Sequence, residues 1–185
     1  ILFTPRLETC ENKCCTIESL EDARRVAAKF DMPFYVMNVE GKFKERVVDY
    51  FLETYADGQT PNPCAQCNRH IKFGELLKRA LELKADYLAT GHYARVEHYG
   101  DGRSELFAAA DRAKDQSYFL YHLGQEKLRH VLFPLGNLTK PEVYELAKKY
   151  ELNRVAEKKE SQGLCFFAES TPQYFLQRHL DKKLF

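Results

Sequence analysis

"ADYLATGHYARV", residues 85–96, decides how the chain reads as a fold. It is a strand that ends in a glycine-containing turn. A glycine directly after a strand lets a ligand approach the backbone, and α/β sheets bind ligands at the C-terminal ends of their strands. Upstream, residues 16–30 carry Leu20, Ala23, Ala27 and Phe30 on one helical stripe, with Ser19 before Asp22 as a cap. "PFYVMNV" (33–39) reads as a short buried strand, and 43–55 as a helix with Phe43, Val47, Tyr50, Phe51 and Thr54 at helical spacing. A loop over 57–67 leads into a third helix, about 69–84, carrying Ile71, Phe73, Leu76, Leu77, Ala80 and Leu81. Helix, strand, helix, helix, strand in this order predicts a parallel α/β sheet.

Downstream the rhythm changes. "VEHYGDGRSELFAA" is a hairpin with a Gly-Asp-Gly turn. Helical segments are predicted at 117–123, 125–132 and 140–150, the last capped by Thr139, Pro141 and Glu142. "SQGLCFF" (161–167) reads as a tight turn into an extended piece, and "TPQYFLQRHL" as a last capped helix. The change of rhythm puts a boundary near 111–116, with an α/β region before it and a mostly helical one after.

The chain has 185 residues, 44% hydrophobic and 30% charged, a globular balance. It has no apolar run near the roughly 18 residues of a membrane span. Lys plus Arg (28) nearly cancels Asp plus Glu (27), so a nucleic-acid surface must be local rather than global. Six cysteines occur, as Cys10, an adjacent Cys14–Cys15 pair, a C-x-x-C at Cys64 and Cys67, and a lone Cys165. That spacing in a core-rich chain suits a reducing, cytoplasmic setting with metal-binding or reactive thiols better than a disulfide framework.

Cys64 and Cys67 sit in "TPNPCAQCNRHIKF", residues 60–73. Thiols at a helix N-terminus feel unpaired N–H groups and the positive end of the dipole, which favours thiolate. Arg69, His70 and Lys72 push the same way, while Pro61 and Pro63 stiffen the loop. Alone, the pair is also readable as half a zinc site completed by Cys10, Cys14 or Cys15, as a redox pair, or as loop cysteines. Cys165, between Leu164 and Phe166, reads by itself as a buried apolar residue, but the polar "KKESQG" before it reads as a loop that presents a thiol. His92 alone reads as a turn histidine, and Lys114, Asp115 and Gln116 as a capping triplet on a solvated face.

In order, "CCTIESLEDARRVA", "TPNPCAQCNRHIKF", "LATGHYARV", "DRAKDQSYFLY", "LFPLGNLTKPEV" and "KKESQGLCFF" make the chain resemble the tRNA-specific 2-thiouridylase family (MnmA, also called TrmU) over nearly its whole length. The resemblance implies a parallel-sheet, adenine-nucleotide α-hydrolase-like (PP-loop ATPase) domain over 1–113 and a mostly helical, tRNA-binding central domain over 114–185. It implies Cys67 as the first catalytic cysteine and Cys165 as the second, which carries a persulfide. Asn62, Pro63 and Cys64 match the segment that contacts the target base, Gly91 an ATP-binding glycine, and His92 a tRNA-contacting histidine. Lys114, Asp115 and Gln116 match a tRNA-interacting triplet. The implied co-substrate is ATP with Mg2+, and the implied partners are the tRNA anticodon stem-loop and a persulfide or sulfide donor protein. No membrane partner is implied, and the implied enzyme is a monomer.

The chain departs from the family in lacking the S-G-G-x-D-S phosphate-binding loop and a C-terminal β-barrel. It is therefore expected to be the middle of a longer enzyme and, as it stands, a poor ATP binder without activity. Many members also carry Asp where this chain has Cys64. Cys64, Cys67 and Cys165 together make three soft ligands that leave one iron open, which suits a 4Fe–4S cluster holding an external sulfide and tips the reading toward that route. Two other functions compete. One is a zinc-stapled, non-catalytic RNA-binding module, and the other is an ATP pyrophosphatase of the same class acting on another substrate. Cys14 and Cys15 have no assigned chemistry.

Overall fold

The computed structural model describes residues 17–157, 163–167 and 172–179. Cys10, Cys14 and Cys15, and with them the zinc reading, lie outside the described residues, as do residues 158–162 and the Thr171 cap. By compactness the chain forms two units, Ile1–Cys64 with Glu157–Phe185, and Ala65–Ala156. This grouping follows packing rather than function, so the division at 113/114 stays a proposal about the whole protein.

In the first unit, α1 (Ile17–Lys29) forms where periodicity predicts it. Its buried positions are Asp22 and Ala27, however, and Phe30 is exposed. Ser19 lies inside the helix rather than capping it. Helix α2 runs 40–56, through Glu40–Phe43, a wider i→i+5 bonded stretch Lys44–Asp49, and Tyr50–Ala56. Phe43, Val47, Val48 and Phe51 are its buried face. It ends at Gly58 (φ 72°), where Gly58 N–H bonds to Tyr55 C=O and Gln59 N–H to Thr54 C=O, the paired bonds that close a helix through a left-handed residue. The buried strand expected over 33–39 is not there. Among the described residues this stretch makes one bridge, at Asn38, and Tyr35 is 79% exposed. Aromatic and β-branched residues form a strand only when a neighbour pairs with them. Helix α7 (Pro172–His179) sends Phe175 into an aromatic cluster with Phe43, Phe51, Phe166 and Phe167, ring centroids 4.9–6.1 Å apart.

Helix α3 runs 63–82, as Pro63–Gln66, the wider Cys67–Leu76 and Leu77–Glu82. The helix thus starts about six residues before the expected position, because proline in a first turn loses no hydrogen bond and presets φ. Cys64 and Cys67 are in its opening turns, not in a preceding loop.

The second unit is built on a parallel pair, β1 (Leu88–Ala89) with β4 (Val131–Leu132), in register Leu88↔Val131. Between them lies the expected hairpin, β2 (Ala94–His98) with β3 (Ser104–Ala108), antiparallel and turned at Gly102 (φ 84°). The sequence expectation of a helix over 125–132 needs correction. Only α4 (Gln125–Leu128) is helical, and Val131–Leu132 pairs with β1, since the apolar run 131–133 buries Val131 and Phe133 against the core. That core is Phe73, Ala94, Leu120, Leu123, Leu128, Val131 and Phe133. Gln125 pins the hairpin through both ends of its amide, accepting from Ser104 N–H (2.9 Å) and donating to Ser104 C=O (2.7 Å). A short 3-10 turn (Ser117–Leu120), α5 (Lys140–Lys149) and α6 (Asn153–Glu157) complete the unit. Helix α5 has the predicted reciprocal cap, with Thr139 N–H donating to Glu142 at 2.7 Å.

Gly136, within "LFPLGNLTKPEV", packs its Cα against β2. A Cβ there would stand 1.9 Å from the Ala94 carbonyl oxygen, a backbone atom held in the hairpin. Gly136→Ala is therefore expected to lower unfolding stability by about 1–3 kcal/mol or more in urea titration, as overpacked cores do. A variant as stable as the parent contradicts this packing.

Candidate functional site

The residues that follow β1 and the middle of α3 meet within the second unit. β1 is followed by Thr90, whose N–H donates to Leu132 C=O, then by exposed Gly91 and buried His92. His92, 8% exposed, sits among the Phe73 and Phe133 rings, at 5.8 and 5.9 Å between centroids. Its Nδ1 is 2.8 Å from Thr90 Oγ1 and its Nε2 is 3.2 Å from Lys72 Nζ. An ammonium only donates, so Nε2 accepts from Lys72 and Nδ1–H donates to the Thr90 hydroxyl. Burial, and after it the Lys72 charge, lowers the His92 pKa to about 4. At neutral pH the imidazole is uncharged and holds the Lys72 ammonium at the end of β1. Sequence reasoning assigned Lys72 to the thiols and missed this contact. Nothing in local sequence signals it, because the partners are 20 positions apart.

The triplet after the hairpin also faces inward. Gln116 grips Tyr93 twice, its Oε1 accepting from Tyr93 N–H (3.1 Å) and its own N–H donating to Tyr93 C=O (2.8 Å). Asp115 accepts from Ala109 N–H (2.7 Å) and from the Ser117 hydroxyl (2.7 Å). Burial would raise its carboxyl, but these hydrogen bonds and the Arg112 charge hold it below the usual carboxylate range. Asp115 and Gln116 therefore brace the loop against the hairpin and the Gly91–Ala94 turn, and Lys114 beside them is half-buried.

The cysteines divide between the units. Cys67 is half-buried in α3, in the same unit as Gly91 and His92. The next residue, Asn68, is buried and donates from Nδ2 to Phe119 C=O at 3.0 Å. This second residue missed by sequence reasoning ties the Cys67 helix to the 3-10 turn. Cys64 and Cys165 are exposed and belong to the first unit, as do Asn62, whose N–H donates to Tyr50 Oη at 3.4 Å, and buried Pro63. Cys165 sits on a turn closed by Phe167 N–H to Leu164 C=O (3.1 Å), entered through Gly163 at φ 95°. Phe166 and Phe167 are buried in the aromatic cluster, so anchoring the neighbours displays the thiol and corrects the reading of Cys165 as a core residue. None of the three thiols is disulfide-bonded.

Among the described residues no group of three or more His, Cys, Asp or Glu is arranged to hold a metal ion. No described helix is long and apolar enough to cross a membrane.

Residues 3–169 match the family described as the tRNA methyl transferase HUP domain. The chain belongs to that family. An α/β domain with parallel pairing is what β1, β4 and their flanking helices provide. Similar relatives include the tRNA-specific 2-thiouridylase MnmA of Geobacter metallireducens, 52% identical over 89% of this chain and 44% of the relative. Another is the tRNA-specific 2-thiouridylase MnmA of Carboxydothermus hydrogenoformans, 47% identical over 99% of this chain and 51% of the relative. The chain spans about half the length of the curated relatives it matches.

Neutral, buried His92 has a testable signature. The unfolded chain protonates its imidazole below about pH 6.5 and the folded chain only near pH 4. Between those values the unfolded state binds more protons, so stability falls as pH falls, by up to about 1.4 kcal/mol per pH unit. Urea titrations from pH 7 to 4.5 are expected to show this loss in the parent and a shallower one in His92→Gln. Parallel profiles contradict the assignment.

Proposed function

We propose that the protein containing this chain converts a tRNA wobble uridine to 2-thiouridine. The observation that carries the reading is a pair of presented thiols within the matched blocks: Cys67 in the opening turns of α3, and Cys165 held out by two buried phenylalanines. The family description names methyl transfer, whereas sulfur transfer through a persulfide uses two thiols, one to carry the sulfur and one to release it.

The uridine C2 oxygen is a poor leaving group; it attacks the α-phosphorus of ATP, which would be bound with Mg2+, pyrophosphate leaves, and the adenylated oxygen can then depart as AMP. The Cys165 persulfide brings sulfur at the sulfane level. Its terminal sulfur bonds to C2 and the C2–O bond to AMP breaks. Cys67 thiolate then attacks the inner Cys165 sulfur, the S–S bond of the persulfide breaks, and the transferred sulfur keeps the electron pair. The two cysteine thiols end oxidised as a disulfide and the transferred sulfur ends reduced in the thiocarbonyl. A thiol reductant resets the pair. The chemistry requires the uridine to leave the anticodon stack and Cys165 to reach Cys67 during the cycle.

Around this chemistry, Asn62, Pro63 and Cys64 contact the base, and exposed Gly91 lets the nucleotide approach the backbone. His92, with Lys114, Asp115 and Gln116, shapes the tRNA contact. His92, Asp115 and Gln116 act through the loops they brace. The protein works as a cytoplasmic monomer and takes sulfur from a persulfide or sulfide donor protein. The 114–185 segment serves as its tRNA-binding central domain.

In the full-length protein, Cys67→Ser and Cys165→Ser are each expected to abolish 2-thiouridine in tRNA, read by nucleoside mass spectrometry; normal thiolation in either overturns the reading. Gly91→Ala should fold normally, since its Cβ would meet only Leu135 Cδ1 at 3.7 Å. Its expected effect is a raised KM for ATP. Cys64→Asp separates the routes. Retained activity in an iron-free protein supports the persulfide, while lost activity with stoichiometric iron in the parent supports the cluster.

A further inference from the structure

The short 3-10 turn Ser117–Leu120 is anchored by Leu120, which is completely buried. With three residues per turn, positions i and i+3 fall on the same side. Burying Leu120 therefore leaves Tyr118 and Tyr121 together on the outside, 69% and 60% exposed. Their ring centroids are 6.2 Å apart and the planes differ by 36°. The Tyr121 ring centroid lies 3.8 Å from that of the His122 ring, which continues the row of tilted rings. Isolated exposed tyrosines are ordinary, but a contiguous set of ring faces is not.

Two cations lie close to His122, at the end of this row of rings. Arg69 and Lys127 both act on His122, whose pKa is lowered by burial and then by these two cations. Lys127 Nζ donates to Arg69 C=O at 3.2 Å, which fixes the two cationic residues next to each other. His122 Nε2 is buried without a hydrogen-bond partner, a polar atom awaiting one. The turn is tied to the Cys67 helix, because Asn68, the residue after Cys67, donates to Phe119 C=O at 3.0 Å. It also continues directly from Lys114, Asp115 and Gln116.

Aromatic faces beside phosphate-binding cations are the chemistry of unpaired RNA, whose bases stack on tyrosine and whose backbone is neutralised by Arg and Lys. We propose that Tyr118 and Tyr121, flanked by Arg69 and Lys127, form a stacking platform for unpaired tRNA loop nucleotides next to the uridine being modified. The inference rests on the tRNA reading above and adds a mode of contact to it. A uridine pulled from its stack leaves neighbours without stacking partners, and the platform supplies substitutes in the same compact unit as Cys67.

The test uses the full-length protein and an anticodon stem-loop RNA, with affinity read by fluorescence anisotropy. The double variant Tyr118→Ala/Tyr121→Ala is expected to bind about 5- to 100-fold more weakly. Tyr118→Phe/Tyr121→Phe should bind within about twofold of the parent, because a ring without a hydroxyl still stacks. An alanine pair that binds like the parent overturns the platform. So does a phenylalanine pair that loses as much as the alanine pair, since hydroxyl bonding and not stacking would then be responsible. A lowered melting temperature with unchanged RNA affinity means that protein covers the rings, and also overturns it. Irradiating the parent with stem-loop RNA bearing 5-bromouridine in the loop should crosslink the peptide containing Tyr118 and Tyr121. Crosslinks confined to other peptides contradict the proposal even if the variants misfold. A parent that neither binds nor thiolates the RNA fails the functional reading itself. A parent that does both, with an unaffected alanine pair, fails only the platform.

Discussion

Helix α3 can satisfy its sequence in one rotational setting only, and much of the second unit follows from that. Ile71, Phe73 and Leu77 must be buried, each worth about 1.5–3 kcal/mol of transfer free energy. Phe73 meets Phe133 and the His92 ring, while one turn earlier Asn68 bonds the Phe119 carbonyl. With both contacts made the helix cannot turn. Cys67 stays half-buried, Arg69 faces solvent, and Lys72 reaches the end of β1. The burial that neutralises His92 is the same burial that packs Phe73, so a core contact sets the protonation state of a site residue.

The second thiol is displayed by a related device. A cysteine flanked by leucine and two phenylalanines would sink into a core if the backbone stayed extended. Here Gly163 takes a left-handed φ and the chain folds into a turn, so Phe166 and Phe167 enter the aromatic cluster and Cys165 does not. In each case apolar neighbours do the anchoring, and they leave Cys165 exposed and Cys67 half-buried. Thiol–disulfide chemistry needs that arrangement, because reaction requires access while positioning requires packing.

Periodicity made the long helices 17–29, 40–56 and 140–149 legible, and the Gly-Asp-Gly turn did the same for the hairpin. The thiols and the Gly91–His92 turn were legible as motifs. What stayed hidden depends on partners distant in sequence. Residues 33–39 have strand composition, but composition cannot supply the neighbour a strand pairs with. The run 131–133 looks helical beside α4 until β1 is there to receive it. The start of α3 was misplaced because Pro61 and Pro63 look alike in sequence, and only the second opens the helix. The inward grip of Asp115 and Gln116 on the hairpin, and the Lys72–His92 contact, are tertiary events with no local signature. A polar triplet before a helix looks solvated whether or not it is spent on bracing.

The account stands or falls on whether Cys67 and Cys165 are two ends of one reaction. The direct measurement is a single turnover without reductant. Full-length protein loaded with one sulfur on Cys165 is mixed with ATP and unmodified tRNA, and peptides and nucleosides are then mapped by mass spectrometry. The account predicts that a Cys67–Cys165 disulfide appears in step with 2-thiouridine, one for each. Formation of 2-thiouridine with both thiols recovered reduced would contradict it.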